Sequence, residues 1–233
     1  MSINFHYLLK YVIIGDSGVG KSNILLRYIN NTFSEDFKAT VGVEFGAKNI
    51  EVNSKIYRIQ VWDTAGQENF RSIARAYYKN SVCACIVYDI TNRNSFNSIQ
   101  SWIDDCTKQT PKSILLILIG NKNDLNDKRE VQYEEGEEFA RRKGMIFLET
   151  SAKTGNGIND IFEKSVKQID KNILDNKYDL DNENCGIRKG LKTESFVLSI
   201  EKTKKRRRKN AANDVNDIID NDGIMNIIIV III

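Results

Sequence analysis

Eight residues constrain this chain more than any others: Gly15-Asp16-Ser17-Gly18-Val19-Gly20-Lys21-Ser22, which fit the spacing G-x-x-x-x-G-K-[ST]. The apolar run Tyr11-Val12-Ile13-Ile14 leads into them, and a helix-period stretch from about Gly20 to Asn30 leads out. A strand that turns through glycines into a helix start aims successive backbone N–H groups at one point. The positive end of the helix dipole adds to them. That is a cradle for phosphate. Lys21 is placed to reach the β- and γ-phosphates, and the Ser22 hydroxyl to ligate Mg²⁺. A random chain of this length matches the pattern about once in a hundred at average glycine usage, and the strand-before, helix-after context lowers that further.

The rest of the sequence fits a parallel α/β fold around that loop. Alternating strands are predicted near Val43–Val52 and Lys55–Trp62, with Asn53-Ser54 as a tight hairpin turn. Continuous apolar runs at Val82–Tyr88 and Ile114–Ile119 have the composition of strands buried on both faces. Between them Phe96, Ile99, Trp102, Ile103 and Cys106 recur at helical spacing. A charged helix over Tyr133–Lys143 stops at Gly144, a strand covers Met145–Glu149, and a last helix carries Ile158, Ile161, Phe162, Val166, Ile169 and Ile173 on one stripe. The expected architecture is a doubly wound, six-stranded, mostly parallel sheet flanked by five helices.

Beyond Leu174 the apolar period fades and Asp, Asn, Lys and Arg dominate, so the domain is expected to occupy 1–173 and a mostly disordered tail 174–233. The net charge of +3 is uneven: seven basic residues lie in 202–209 (KTKKRRRK), which leaves the remainder at −4. A slightly acidic body with one basic run suits contact with an anionic membrane surface and does not suit wrapping nucleic acid. Cys83 and Cys85 alternate onto one strand face as small core residues, and with no amino-terminal signal peptide the expected compartment is the reducing cytoplasm.

Asn121-Lys122-Asn123-Asp124 narrows the ligand. It follows a buried strand, and in a doubly wound sheet ligands lie at the carboxyl ends of strands, the same edge as the phosphate loop. A carboxylate at 124 can accept from guanine N1–H and its 2-amino group. Adenine has no donor at either place and leaves the carboxylate unpaired. The same feature argues against a P-loop kinase.

At this point the sequence resembles the Ras-like small GTPases across about residues 7–173. The resemblance rests on GDSGVGKS, Thr40 in KATVG, WDTAGQE at 62–68, NKND at 121–124 and Ser151-Ala152-Lys153, in that order. It implies a GTP/GDP switch in which Gly15, Ser17, Gly18, Val19, Gly20, Lys21, Ser22 and Asn23 surround the phosphates, while Thr40 and Gly66 sense the γ-phosphate. It implies further that Asn121 braces the base loop, Lys122 lies along the base, Asp124 pairs with guanine, and Phe33 packs edge-on. Ser151, Ala152 and Lys153 complete the base site, with the Ala152 N–H toward guanine O6. Mg²⁺ is implied at Ser22, Thr40 and, through water, Asp63, with Gln67 as the catalytic residue that orients the attacking water. No arginine of these loops is an evident finger, so slow hydrolysis accelerated by an activating protein is expected, alongside an exchange factor and effectors. The Tyr usual three residues before the switch threonine is Phe37 here.

Within that superfamily the chain is most similar to Rab proteins, through VEFG (43–46), RIQVWDTAGQENFRSI and VYDIT (87–91). GVEFGAK and EEGEEFARRKGMIFLETSAKT resemble the branch of Rabs two, four and fourteen. That implies vesicle trafficking at the cytosolic face of Golgi or endosomal membranes, with Phe45, Trp62 and Tyr77 as the effector surface. The end departs from the pattern. Residues 224–233 (IMNIIIVIII) carry no terminal cysteine for prenylation, ten residues of helix span about 15 Å, half a hydrocarbon core, and the expectation is a gene-model artefact there. Cys185 is the one tail cysteine left for acylation. The alternative to a membrane switch is a soluble GTP-binding interaction module.

Overall fold

Alternation within the strands sorts the core into two layers. In β1 (Tyr7–Ile14), Tyr11 and Ile13 pack on one face of the sheet and Val12 and Ile14 on the other, all four fully buried. In β4 (Cys83–Asp89), Cys83, Cys85 and Val87 join the first layer, and Ala84, Ile86 and Tyr88 the second. The two cysteines are therefore small core side chains on one strand face, and the continuous apolar run is a strand covered on both sides.

The computed structural model describes residues 5–36, 40, 42–67 and 71–190. The remaining strands are β2 (Val43–Val52), β3 (Lys55–Thr64), β5 (Leu115–Asn121), β6 (Ile146–Thr150) and β7 (Ile187–Lys189). The helices are α1 (Lys21–Asn30), α2 (Arg71–Tyr78), α3 (Arg93–Asn97), α4 (Ile99–Thr107), α5 (Tyr133–Lys143) and α6 (Ile158–Leu174). The sheet order is β2-β3-β1-β4-β5-β6, parallel except for the β2–β3 hairpin and β7. Ile24 and Leu25 of α1 pack with Phe162, Val166 and Ile169 of α6 on one face; Trp102 and Ile103 of α4 and Ala140 of α5 cover the other.

Local signals behave as their chemistry demands. Asn53 and Ser54 take φ of 51° and 58°, the paired left-handed conformation of a two-residue hairpin turn. Gly144 caps α5 in the same region, at φ 66°. The helix expected through Phe96–Cys106 is broken at Ser98 into α3 and α4, each with its own start, so the described helices number six and not five.

The domain also runs further than expected. The loss of apolar periodicity predicts a boundary near Leu174, yet the compact unit extends to Gly190. β4 begins opposite Tyr11, which leaves the first residues of β1 without a neighbour on that side. β7 fills the gap antiparallel, pairing Ile187 with Leu9 and Lys189 with Tyr7, and makes the sheet seven-stranded. Tyr178, Cys185 and Ile187 are buried beneath this return. Three apolar anchors with no period are invisible to a pattern search. Cys185 is accordingly a packed thiol whose Sγ contacts the Ile187 carbonyl at 3.3 Å, which is not the exposed residue that acylation requires. The basic run 202–209, the apolar end 224–233 and Phe37 lie outside the described residues.

One buried carboxylate ties the β2–β3 hairpin to α6. Asp170, 1% exposed, accepts from Lys55 Nζ at 2.7 Å, Asn53 Nδ2 at 2.8 Å and the Tyr57 hydroxyl. Burial opposes its ionisation, but the bonds from Lys55, Tyr57 and Asn53 outweigh that and hold the carboxyl below its ordinary value. Its stabilising effect is thus present above the unfolded carboxyl's pKa and lost as pH falls through the folded one. Asp170→Ala leaves these donors facing a void and is expected to cost about 3 kcal/mol, the low end for a broken buried pair because Lys55 keeps some solvent. In thermal unfolding that is a fall in Tm of roughly 6–12 °C; a shift within 2 °C would remove Asp170 as the tie.

Candidate functional site

The carboxyl ends of β1, β3, β5 and β6 open on a cleft of about 540 Å³, within the range of small-molecule sites. Its lining joins Ser17, Gly18, Gly20, Lys21, Ser22 and Asn23 to Phe33, Thr40, Gly66 and Gln67, and to Asn121, Lys122, Asp124, Ala152 and Lys153. Residues 135 positions apart in the chain meet here because the parallel sheet brings every such loop to one edge.

The phosphate end is built from main chain. Gly20 stands at the head of α1 with φ 97°, and a Cβ there would land on the Asn121 side chain, so only glycine fits. Lys21, 5% exposed, donates to the Gly15 and Asp16 carbonyls at 2.9 and 2.8 Å. Burial pushes its ammonium down to about 8, against the pull of the Asp63 and Asp16 carboxylates. Gly66 packs so closely on this group that a Cβ would lie 2.6 Å from the Asp16 carbonyl oxygen. Gly15 and Val19 do not line the cleft; each serves it through a carbonyl, to Lys21 and to Asn121.

Beside Lys21 stand three oxygen-bearing side chains. The Ser22 hydroxyl bonds Asp63 Oδ2 and lies 2.7 Å from the Thr40 hydroxyl. Asp63 is fully buried, and its Oδ1 has no hydrogen-bond partner among the described residues. Burial pushes its carboxyl up to about 6, against the Ser22 bond and the Lys21 charge, with Glu44 adding to the rise. Two hydroxyls and a buried carboxylate with an orphaned oxygen form a hard-oxygen set, which fits Mg²⁺.

At the base end, Asn121 is the junction. Its amide donates to the Val19 carbonyl at 2.9 Å, and its oxygen accepts from the Thr150 hydroxyl and the Ala152 N–H, each at 3.2 Å. One side chain thereby joins the phosphate loop to both base loops. Ser151 is buried behind the site, where its hydroxyl holds Asp124 Oδ1 at 2.6 Å. Lys122 donates to the Gly18 carbonyl at 2.8 Å and pairs with Asp89 at 2.6 Å. Asn23 grips the Ser34 main chain through both ends of its amide, at 3.0 and 3.1 Å, which places neighbouring Phe33 at the cleft. Its side chain is thus engaged by the chain itself, which leaves only its backbone for a ligand.

Phe45, Trp62 and Tyr77 stand apart from the cleft as one aromatic row, with ring centroids 4.8 and 5.1 Å apart. Phe45, the third residue of β2, is 51% exposed.

A model of the Ras family matches residues 10–171, which span the cleft from the strand before the phosphate loop to the helix after Lys153. This chain belongs to the Ras family. It is 50% identical over 182 residues to the Ras-related protein Rab-2B of Dictyostelium discoideum, an alignment covering 78% of this chain and 90% of that relative. The chain is therefore a Rab-type small GTPase of the Rab2-like branch, a GTP-binding switch of vesicle traffic that hydrolyses GTP to GDP and phosphate. Members of this family work with Mg²⁺ and with exchange factors, activating proteins and effectors.

Sequence reasoning missed four residues of this site. Asp89 pairs with Lys122, Trp102 donates its indole N–H to Asp16 at 2.7 Å, Arg27 grips the 152–153 main chain, and Glu35 meets Lys153 at 3.2 Å. Asp89 lies in VYDIT (87–91), which marks the Rab resemblance without a site role, and the other three belong to no motif quoted for the site. Only the polar end at Asp89 of an otherwise apolar strand offered a signal.

Proposed function

We propose that this Rab-type switch recognises guanine through Asp124, Lys122, Phe33 and the Ala152 N–H, and holds phosphates with Gly18, Gly20, Lys21 and the Ser22 backbone. The observation that carries the reading is the Asn121 side chain, which bonds the phosphate loop and the 150–152 strand end at once. Base and phosphate sites are thereby one rigid unit, as a ligand with both parts requires. With one oxygen of Asp124 taken by Ser151, the other is left for the guanine N1–H and 2-amino donors.

Ser22, Thr40 and Asp63 would hold Mg²⁺ in this reading, where the bound ion would supply charge neutralisation for the phosphate oxygens. Lys21 adds a second positive charge at the same oxygens. Thr40 and Gly66 belong to the two segments that differ between nucleotide states, because a γ-phosphate offers them contacts that a diphosphate lacks. The Ala65 N–H bonds the Gly42 carbonyl at 3.1 Å, so the two segments respond together. The aromatic row of Phe45, Trp62 and Tyr77 lies on β2, β3 and α2, directly joined to both, and presents the effector surface. The basic run 202–209 supplies attraction to anionic lipid at the cytosolic face of Golgi or endosomal membranes.

Gln67, half-buried at the cleft, orients the attacking water. Gln67→Leu is expected to slow single-turnover phosphate release roughly 10²-fold, the penalty for a misplaced reactant, while GTP affinity stays within about twofold. Unchanged release would remove Gln67 from that role.

A further inference from the structure

Arg27 occupies α1 one turn past Asn23, and its guanidinium is directed at main chain and not at a carboxylate. Nε donates to the Ala152 carbonyl at 2.9 Å, Nη2 to the Lys153 carbonyl at 2.6 Å, and Nη1 to the Asn31 carbonyl at 2.9 Å. Two of those oxygens belong to a loop 125 and 126 positions away, the loop whose Ala152 lines the cleft. The third closes the end of α1, so the arginine is itself fixed to a helix terminus.

The loop is held from two sides. From inside, the Ala152 N–H meets Asn121 Oδ1 and the Ser151 hydroxyl meets Asp124. From outside, Arg27 takes the carbonyl ends of residues 152 and 153. A planar fork that binds two consecutive carbonyls fixes two peptide planes at once, which an ammonium does not do. With both sides held, the 151–153 backbone is set before any ligand arrives: Arg27 fixes the two peptide planes that follow Ala152, and the N–H on the plane before it rests on Asn121 Oδ1. The Lys153–Glu35 pair lies in the same place, but both side chains are more than half exposed, so it contributes little.

We propose that Arg27 is a positioning residue for base recognition: it pre-orients the Ala152 N–H toward the 6-oxo group of the bound purine and so raises affinity for 6-oxopurine nucleotides. This rests on the guanine reading above. An N–H free to swing loses most of a directional hydrogen bond, and the loss is confined to ligands with an oxygen at position 6.

The test is displacement of a fluorescent methylanthraniloyl-GDP from the full chain by GDP, by inosine diphosphate and by the diphosphate of 2-aminopurine riboside, which has no 6-oxo group. Arg27→Met is expected to weaken GDP and inosine diphosphate alike, each on the order of tenfold, and to leave the 2-aminopurine nucleotide unchanged. That unchanged ligand also reports that the variant is folded. Arg27→Lys, which reaches one carbonyl at a time, falls between. Loss of equal size for all three ligands, or GDP affinity unchanged in Arg27→Met, overturns the assignment. A wild-type chain that binds the three ligands alike overturns the guanine-edge reading and the Arg27 assignment with it. Wild-type discrimination with no loss in Arg27→Met overturns Arg27 alone.

Discussion

Asp124→Asn is expected to lower affinity for GDP and GTP on the order of 10⁴-fold, the scale on which a site built around substrate donors rejects a mismatched partner. The same substitution should create affinity for xanthosine diphosphate. The reason lies in Ser151. Its hydroxyl donates to Asp124 Oδ1 from a fully buried position, so an amide at 124 is turned with its oxygen toward Ser151. The NH₂ then faces the base. Guanine presents donors there, N1–H and the 2-amino group, and two sets of donors face each other with nothing to accept. Xanthine carries an oxygen at position 2 and accepts. Competition binding with the two diphosphates on the full chain measures both halves. Retention of GDP affinity within tenfold would exclude Asp124 as the residue that reads the guanine edge.

The frame around this residue was legible in the sequence because each piece has a local cause. Gly20 must adopt positive φ at the head of α1, Asn53-Ser54 must turn a two-residue hairpin, and alternation in Tyr11–Ile14 assigns each side chain to a core layer. Motif spacing groups Ser17, Gly18, Gly20, Lys21, Ser22, Thr40, Gly66, Gln67, Asn121, Lys122, Asp124 and Ala152, and these line one cleft. What stayed hidden depends on tertiary neighbours. The return of 175–190 exists because β4 starts late against β1, and no property of Ile187 alone says so. Arg27 reads as one more charged residue on a surface helix until the 152–153 carbonyls are placed beside it. Ser151 and Asn23 are expected at the nucleotide from the motifs, and only the structure shows that their side chains hold Asp124 and Ser34 in position. Sequence identifies residues that must be a particular type, whereas residues that act through another residue require coordinates.

Asn121→Ala is the change that should damage both halves of the site together. Asn121 is 1% exposed, and its side chain makes one bond to the phosphate loop and two more, to Thr150 at the end of β6 and to Ala152 two residues on. Truncation strands a carbonyl at Val19, a hydroxyl at Thr150 and an N–H at Ala152. Buried groups left unpaired cost about 1–3 kcal/mol each, less where water can enter from the cleft. A combined loss of about 4 kcal/mol follows, divided between the stability of the fold and the affinity for nucleotide. The affinity part is expected to appear as nucleotide release accelerated at least roughly 10²-fold. The xanthosine-selective background separates this from a fault in base reading. Asp124→Asn alters only which base is accepted, so xanthosine diphosphate should stay bound. Adding Asn121→Ala to that background should accelerate xanthosine diphosphate release by about the factor seen for GDP in the single variant. The phosphate loop and the base loops would then be coupled through one amide. Release of xanthosine diphosphate at an unchanged rate would mean that the two halves hold their ligand independently, and that the Val19 bond is packing alone.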